Sequence, residues 1–130
     1  MKKIISSLIL ILIIASLSGN KGKDSDLTYN KINASDAREM INEDSDIIIL
    51  DVRTEEEYNS GHIEGAVLLP NNEIEEKAEE LLRDKSANIL VYCRSGNRSA
   101  SASQDLIKLG YTNVYDFGGI LDWPYDIVTE

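Results

Sequence analysis

Cysteine and histidine are nearly absent from this sequence. The 130 residues include one of each, Cys93 and His62. A single cysteine cannot form a disulfide within the chain, so Cys93 is a reactive thiol, a partner for another chain or a buried structural side chain. We recognise no cluster of residues at metal-ligand spacing, and one histidine gives no indication of a Cys–His protease. We therefore predict that the protein holds no metal and uses no cofactor.

Basic residues are also in short supply. The chain has 13 lysines and arginines against 23 aspartates and glutamates, which gives a formal net charge of −10 at pH 7. An acidic surface repels the phosphates of nucleic acids and the headgroups of anionic lipids. We therefore predict no nucleic-acid partner and, for the mature form, no membrane binding.

Only one long apolar run is present, and it lies at the N-terminus. Residues 4–17 are apolar apart from three serines, follow the basic start Met1-Lys2-Lys3 and precede Ser18 and Gly19. A basic start, an apolar middle and small residues at the end are typical of a secretory signal. The run is shorter than the roughly 20 residues of a transmembrane helix, although an uncleaved anchor is the alternative.

These features divide the chain into three parts. Residues 1–19 are predicted to be a signal peptide, 20–26 a polar linker and 27–130 a single domain. Asn20 stands where a bacterial lipoprotein signal has a cysteine, so we expect no lipid attachment. The mature protein is then expected in the periplasm or outside the cell.

The domain alternates short apolar segments with amphipathic ones. Strands are predicted at 27–32, 47–50, 66–69, 88–92 and 112–116. The run 47–50 shows no alternation, so both faces of its strand should be covered, as in a parallel sheet. Helices are predicted between the strands, with N-caps at Ser35 or Asp36, at Thr54, and at Asn71 or Asn72. This order indicates an α/β fold with a mainly parallel sheet.

The only cysteine opens a polar loop between a buried strand and a helix. The helix predicted over 99–109 is stopped by Gly110. A strand, a tight loop and a helix in this order bring the loop's backbone N–H groups and the positive end of the helix dipole around one point. Arg94 and Arg98 flank the thiol of Cys93, so we expect it to be partly ionised. The loop therefore indicates a nucleophile that handles an anionic group.

Three segments of the chain, in this order, resemble the short, single-domain rhodaneses. They are Asp51-Val52-Arg53 with Glu57-Tyr58 and Gly61-His62-Ile63-Glu64-Gly65-Ala66, then Cys93-Arg94-Ser95-Gly96-Asn97-Arg98-Ser99, and finally Gly110-Tyr111, Val114, Gly118-Gly119 and Trp123. The resemblance extends over nearly all of the predicted mature chain. It implies a three-layer α/β/α fold with a five-stranded parallel sheet in the order 1-5-4-2-3.

The resemblance also implies a reaction. Rhodaneses move a sulfane sulfur from a small anionic donor such as thiosulfate onto the loop cysteine, and the persulfide then passes it to cyanide or a thiol. Cys93 would be the nucleophile, and Ser99 would cap the helix or donate its hydroxyl to sulfur. The residues that would bind substrate are Arg94, Ser95, Gly96, Asn97, Arg98 and Ser99.

Two other functions remain open at this point. Phosphatases of the cell-cycle type share the fold implied here, but they hold five residues between the cysteine and the arginine of their loop. Only Arg94-Ser95-Gly96-Asn97 separate Cys93 from Arg98, which suits a sulfur atom better than a phosphate. A non-catalytic sulfur carrier or binding module is the second alternative. For Asp51, Arg53, Glu57 and His62, we favour a structural role over a chemical one.

Overall fold

The computed structural model describes residues 28–129. The predicted signal peptide and linker lie outside the described residues, as do Leu27 and Glu130. The strands are β1 (Asn30–Lys31), β2 (Ile48–Asp51), β3 (Val67–Leu68), β4 (Ile89–Cys93) and β5 (Val114–Gly119). The helices are α1 (Ala34–Glu43), α2 (Glu55–Ser60), α3 (Ile74–Leu81) and α4 (Asn97–Lys108), with short 3-10 turns at Asn71–Glu73 and Ile120–Asp122. None of the helices within 28–129 is long and apolar enough to cross a membrane.

The five strands form one parallel sheet in the order β1-β5-β4-β2-β3. Parallel neighbours cannot be joined by a tight hairpin, so the helices serve as the crossover connections. The order and direction confirm the predicted sheet. The central strand, β4, pairs with β2 on one side and with β5 on the other, and Cys93 is its last residue.

The side chains of β4 divide the core between the two faces of the sheet. Ile89, Val91 and Cys93 join one apolar cluster, while Leu90 and Tyr92 join the other. This division follows from the alternation of side chains along a strand. All five residues are buried, which is expected for a central strand with helices on both faces.

Helices cover both clusters and complete the three predicted layers. On the face that includes Cys93, α3 contributes Ile74 and Ala78, and α4 contributes Ala102 and Leu106. On the opposite face, α1 contributes its one fully buried residue, Ala37. The cysteine therefore lies on the α4 side of the sheet, where the N-terminus of that helix can reach its sulfur.

Two local predictions were wrong. The segment predicted as a short buried strand at 66–69 forms only β3, whose two residues are half-buried because it lies at the edge of the sheet. The next helix is not capped by an asparagine side chain. Asn71 and Asn72 instead form a 3-10 turn after Pro70, and α3 begins at Ile74.

The helix caps were predicted with mixed success. Thr54 forms the predicted capping box: its hydroxyl accepts from the Glu57 backbone N–H, and the Glu57 carboxylate accepts from the Thr54 backbone N–H. The prediction of Ser35 or Asp36 as the first cap was wrong. Asn33 is the N-cap of α1, and its side-chain oxygen accepts from the Asp36 backbone N–H at 2.7 Å.

Substituting Asn33 tests this corrected cap. Asn33→Ala removes the acceptor for one otherwise unpaired helix N–H and should lower the free energy of unfolding by about 1 kcal/mol. Ser35→Ala, the matched control on the same exposed helix turn, should change it by less than about 0.5 kcal/mol. Urea denaturation followed by circular dichroism measures both. A larger loss for Ser35→Ala than for Asn33→Ala would contradict the assignment.

Candidate active site

The sulfur of Cys93 lies where two backbone amides of the following loop converge. Its Sγ accepts hydrogen bonds from the Gly96 N–H, with N···S 3.0 Å, and from the Ser99 N–H, with N···S 3.3 Å. Gly96 has φ +113°, a conformation that side chains rarely adopt, and it is the N-cap residue of α4. A turn this tight carries the chain from the end of β4 into the helix. An anion at the sulfur position would be stabilised by both amides and by the helix dipole.

The thiol is buried, and it is surrounded by both apolar side chains and backbone amides. Cys93 is only 1% exposed and packs with the apolar cluster under α4, although its sulfur faces the loop amides. Among its neighbours along the loop, Arg94, Ser95 and Asn97 are exposed, while Gly96 is half-buried. A small molecule must therefore come to the mouth of the loop to contact the sulfur, because the sulfur itself does not project from the surface.

Arg98 lies at the loop but is held by another part of the chain. Its two terminal nitrogens donate to the two carboxylate oxygens of Glu57 at 2.8 and 3.0 Å. Hydrogen bonding from Arg98 is the main cause that lowers the pKa of Glu57 to about 2. The same hydrogen bonds raise the pKa of Arg98, and the charge of Cys93 contributes in the same direction.

Arg94 differs from Arg98 because its guanidinium is exposed. Among residues 28–129, no carboxylate forms a salt bridge with it. Its backbone is anchored, since the Arg94 carbonyl accepts from the Leu121 N–H at 3.2 Å. The side chain borders an open groove of about 370 Å³, here called the Arg94 groove. The other residues that line this groove are Arg53, Glu57, Ser60, Gly61, Ile120, Leu121 and Ile127.

Neither role predicted for the Ser99 hydroxyl was right. Its partners in the described part of the chain are the Asp116 carboxylate at 2.7 Å and two backbone carbonyls, those of Gly96 and Gly118. The hydroxyl has one proton, and the shortest contact assigns it to Asp116. Ser99 reaches the sulfur through its backbone N–H instead. Asp116 was not among the residues predicted for the site: it is a fully buried carboxylate in β5, and the predicted strand 112–116 ends at this residue.

The backbone at the end of β5 packs closely against the Cys93 loop. Cys93 pairs with Gly119 across β4 and β5, after a shift of register between Val91 and Cys93. A Cβ atom on Gly119 would lie 2.1 Å from the Arg94 carbonyl oxygen and 2.6 Å from the Ser95 Cα. Gly119 has φ −121°, so space rather than backbone conformation requires glycine here. The loop rests directly on the end of β5.

Asp51 and Arg53 form a buried network beside the site. The Arg53 guanidinium donates to the Asp51 carboxylate, at 2.7 Å for the shortest pair, and to the Gly61 carbonyl at 2.7 Å. The Tyr92 hydroxyl donates to the same carboxylate at 2.6 Å and accepts from the Ile63 N–H. Burial lowers the pKa of Arg53, but its contacts with Asp51 outweigh this effect and raise it overall. Burial, followed by the hydrogen bond to Asp51, raises the pKa of Tyr92.

The four residues assigned a structural role therefore separate into two groups. Asp51 and Arg53 join β2, β4 and the Gly61 turn, while His62 is buried and its ring stacks on Tyr58 with centroids 3.7 Å apart. These contacts support the structural role. Glu57 is different, because its carboxylate binds an arginine of the Cys93 loop.

Comparison with known proteins identifies the family. The model of the Rhodanese-like domain matches residues 33–124 of this chain. The chain belongs to the rhodanese-like domain family. The segment that matches includes the residues that contact the Cys93 sulfur or the Arg98 guanidinium, together with Cys93 and Arg98, and it confirms the resemblance seen in the sequence motifs. These five residues are Glu57, Cys93, Gly96, Arg98 and Ser99.

Curated relatives of this rhodanese-like domain differ in what they do. The thiosulfate sulfurtransferase PspE of Escherichia coli is 37% identical over 73 residues, which are 56% of this chain and 70% of the relative. The putative sulfur carrier protein YrkF of Bacillus subtilis is 37% identical over 87 residues, or 66% of this chain and 46% of the relative. A tRNA uridine(34) hydroxylase of Yersinia pestis is 34% identical over 71% of this chain. The chain spans less than half of the carrier and 27% of the hydroxylase.

Solved structures of rhodaneses have the same fold. A rhodanese-related protein from Thermoplasma volcanium matches with a TM-score of 0.69 and 36% identity, over 78% of this chain and 100% of the other. A rhodanese with anions from E. coli matches with a TM-score of 0.61 and 33% identity, over 65% of this chain and 99% of the other. The five-stranded sheet and its helices are thus those of the rhodanese fold.

The support beneath the loop of this rhodanese-like domain can be tested at Gly119. Gly119→Ala places a methyl group against backbone atoms of Arg94 and Ser95, so the loop must move. We expect the alkylation rate of Cys93 by iodoacetamide to change severalfold, because the two amides no longer converge on its sulfur. Gly65→Ala is the matched control, since a Cβ there meets no atom within 4 Å and costs only about 1–2 kcal/mol of backbone strain. Equal alkylation rates in Gly119→Ala and the parent protein would contradict the account.

The Glu57–Arg98 pair predicts a pH-dependent contribution to stability. The pKa of Glu57 is 4.5 ordinarily and about 2 in the fold, so its contribution is fully present above 4.5 and is lost as pH falls toward 2. Glu57→Gln should therefore lower the free energy of unfolding by about 1 kcal/mol near neutral pH, and by progressively less in acid. Urea unfolding across this pH range measures the difference. Glu56→Gln, an exposed control on the same helix, should show no such trend.

Proposed function

We propose that this protein is a sulfurtransferase of the thiosulfate sulfurtransferase type, in which Cys93 carries the transferred sulfur as a persulfide. The observation that carries the proposal is the position of the Cys93 Sγ, 3.0 and 3.3 Å from the backbone nitrogens of Gly96 and Ser99. Two preorganised amides favour a negative charge on this atom before and after it gains sulfur, because both the thiolate and the terminal persulfide are anions.

The first half of the reaction loads the cysteine. The Cys93 thiolate attacks the outer sulfur of thiosulfate, a new S–S bond forms, and the S–S bond of the donor breaks. Sulfite leaves with the bonding electron pair, and Cys93 is left as a persulfide anion. No general base is required in this step, because a thiolate has no proton to remove.

The second half of the reaction removes the outer sulfur from Cys93. A thiolate or cyanide attacks the outer sulfur of the persulfide, and the electron pair of the S–S bond returns to Cys93. The products are a new persulfide or thiocyanate and the starting thiolate. Both halves displace one sulfur group by another, and no net oxidant is consumed.

The exposed loop residues would bind the donor. Arg94 borders the groove beside the loop and has no carboxylate partner within 28–129, so its guanidinium is available for an anionic group of the donor. Ser95 and Asn97 would offer backbone N–H groups at the mouth of the loop, while the Gly96 N–H is directed at the Cys93 sulfur. Arg98 would add positive charge near the sulfur, although Glu57 already holds both of its terminal nitrogens.

Two relatives support the sulfur chemistry but leave open whether the protein is an enzyme or a sulfur carrier. The thiosulfate sulfurtransferase and the putative sulfur carrier are each 37% identical to the chain over the regions that match. A catalytic transferase is the proposal here, because the exposed Arg94 beside the thiol offers an anionic donor a binding point. We also propose export to the periplasm or the medium, on the strength of the basic and apolar N-terminal residues.

Thiosulfate should load one sulfur atom onto the protein. Incubation followed by intact-mass spectrometry is expected to show addition of the mass of one sulfur atom, and subsequent cyanide should remove it as thiocyanate. Cys93→Ser, which keeps the size of the side chain but not the thiolate, should gain nothing. Absence of the adduct in the parent protein, with its circular dichroism spectrum intact, would refute the proposal.

Turnover separates the alternatives within the same experiment. A catalytic transferase forms many thiocyanate molecules per chain when both substrates are in excess, whereas a stoichiometric carrier loads one sulfur and stalls. Hydrolysis of an aryl phosphate that disappears in Cys93→Ser would instead indicate a phosphatase.

A further inference from the structure

Arg94 and Arg98 belong to the Cys93 loop and Arg53 lines the Arg94 groove, but the charges of these three arginines are not equally available. Arg53 is buried and paired with Asp51. Arg98 is paired with Glu57 through two hydrogen bonds. Arg94 alone has no carboxylate partner among residues 28–129. The site therefore presents one uncompensated positive charge, where the loop sequence by itself suggests two.

Hydrogen bonds to Thr54 hold the Glu57 carboxylate in place, where it neutralises the charge of Arg98. Its carboxylate accepts from the Thr54 backbone N–H at 2.9 Å and from the Thr54 hydroxyl at 3.1 Å, so the capping box of α2 fixes it. Its side chain is 27% exposed and that of Arg98 is 32% exposed. A partly buried, bidentate carboxylate–guanidinium pair is stronger and better oriented than an exposed pair. Thermal motion of Arg98 is thus restrained by a helix that precedes the loop by 41 residues.

The compensation matters for catalysis because Arg98 lies in the first turn of α4, next to Ser99, whose backbone N–H donates to the Cys93 sulfur. Its pKa is raised chiefly by the hydrogen bonds with Glu57, and the charge of Cys93 contributes as well. Any negative charge brought to Cys93 by a donor is therefore attracted by Arg98 and repelled by Glu57. The formal net charge of −10 on the whole chain adds a longer-range repulsion that is twice as large for a dianion as for a monoanion.

We propose that Glu57 tunes donor specificity: by neutralising Arg98, it favours sulfur donors that carry one negative charge, such as organic thiosulfonates and persulfides, over dianions such as thiosulfate, which the site still accepts at a lower rate. This inference rests on the sulfur-transfer function proposed above. Glu57 is a positioning residue in this account, since it acts through Arg98 and does not touch the reacting sulfur.

Two donors that differ in charge but not in chemistry test the inference. Thiosulfate is a dianion that releases sulfite, and methanethiosulfonate is a monoanion that releases methanesulfinate when the cysteine takes its outer sulfur. With cyanide as acceptor, kcat/KM is measured for each donor as the rate of thiocyanate formation. Glu57→Gln should raise the ratio of kcat/KM for thiosulfate over methanethiosulfonate by about fivefold to tenfold, because one unit of negative charge is removed near the sulfur.

The variant is chosen to keep the helix intact. Glutamine at the third helical position can maintain the capping box with Thr54, so the start of α2 should be preserved. Glu56→Gln removes the same charge from an exposed neighbour and should leave the ratio within about twofold of the parent protein, since solvent and salt screen exposed charges. The double variant Glu57→Gln with Arg98→Gln removes both members of the pair and should return the ratio toward the parent value.

A second measurement does not depend on sulfur transfer. Cys93 is the only cysteine, so its alkylation rates by anionic iodoacetate and neutral iodoacetamide report the local charge directly. Glu57→Gln should raise the iodoacetate to iodoacetamide ratio, and Glu56→Gln should not.

The outcomes distinguish the two proposals. Failure of the parent protein to form thiocyanate or a persulfide with either donor, together with a raised alkylation ratio in Glu57→Gln, would overturn the sulfur-transfer function and leave the electrostatic role of Glu57 standing. Unchanged donor and alkylation ratios in Glu57→Gln, or equal changes in Glu56→Gln, would overturn the role assigned to Glu57.

Discussion

The convergence of two backbone amides on the Cys93 sulfur is the constraint on which the rest of the site depends. The amides of Gly96 and Ser99 can meet there only because Gly96 takes a positive φ and α4 begins at once. The end of β5 must also come close enough to support the loop, and only glycine at 119 leaves space for that contact. A buried sulfur without these donors would be an ordinary core cysteine, so the chemistry depends on backbone geometry more than on any neighbouring side chain.

The positive charge available near this sulfur depends on which arginines are paired with carboxylates, and not only on the number of arginines. The Asp51–Arg53 pair links two strands to the Gly61 turn, with Tyr92 completing the network, and it is part of the folded core. The Glu57–Arg98 pair connects α2 to the reactive loop at the surface. In a chain with net charge −10, Arg94, which has no carboxylate partner within 28–129, offers a local point of attraction to an anion that the surface as a whole repels.

Membership of the rhodanese-like family fits the proposed sulfur chemistry and leaves specificity to residues around the loop. Relatives at the same identity are a thiosulfate sulfurtransferase and a putative sulfur carrier, so proteins with different roles share this family. The side chains that can differ without disturbing the fold are those at the rim, here Arg94 and the apolar Leu121 and Ile127 of its groove. Differences among relatives are therefore expected at the mouth of the site.

The sequence by itself predicted the α/β class and the loop that begins at Cys93, because apolar periodicity, the Thr54 capping box and the order strand–loop–helix are all local patterns. The strand order was predicted only through the resemblance to rhodaneses. Local patterns also explain what went wrong: Asn33 rather than Ser35 caps α1, since several adjacent polar residues satisfy the same cap rule. Only the tertiary structure decided which charges meet. Glu57 and Arg98 are 41 residues apart, and Ser99 and Asp116 are 17 apart. Packing of separate elements brings these pairs together, and no spacing along the chain encodes such contacts.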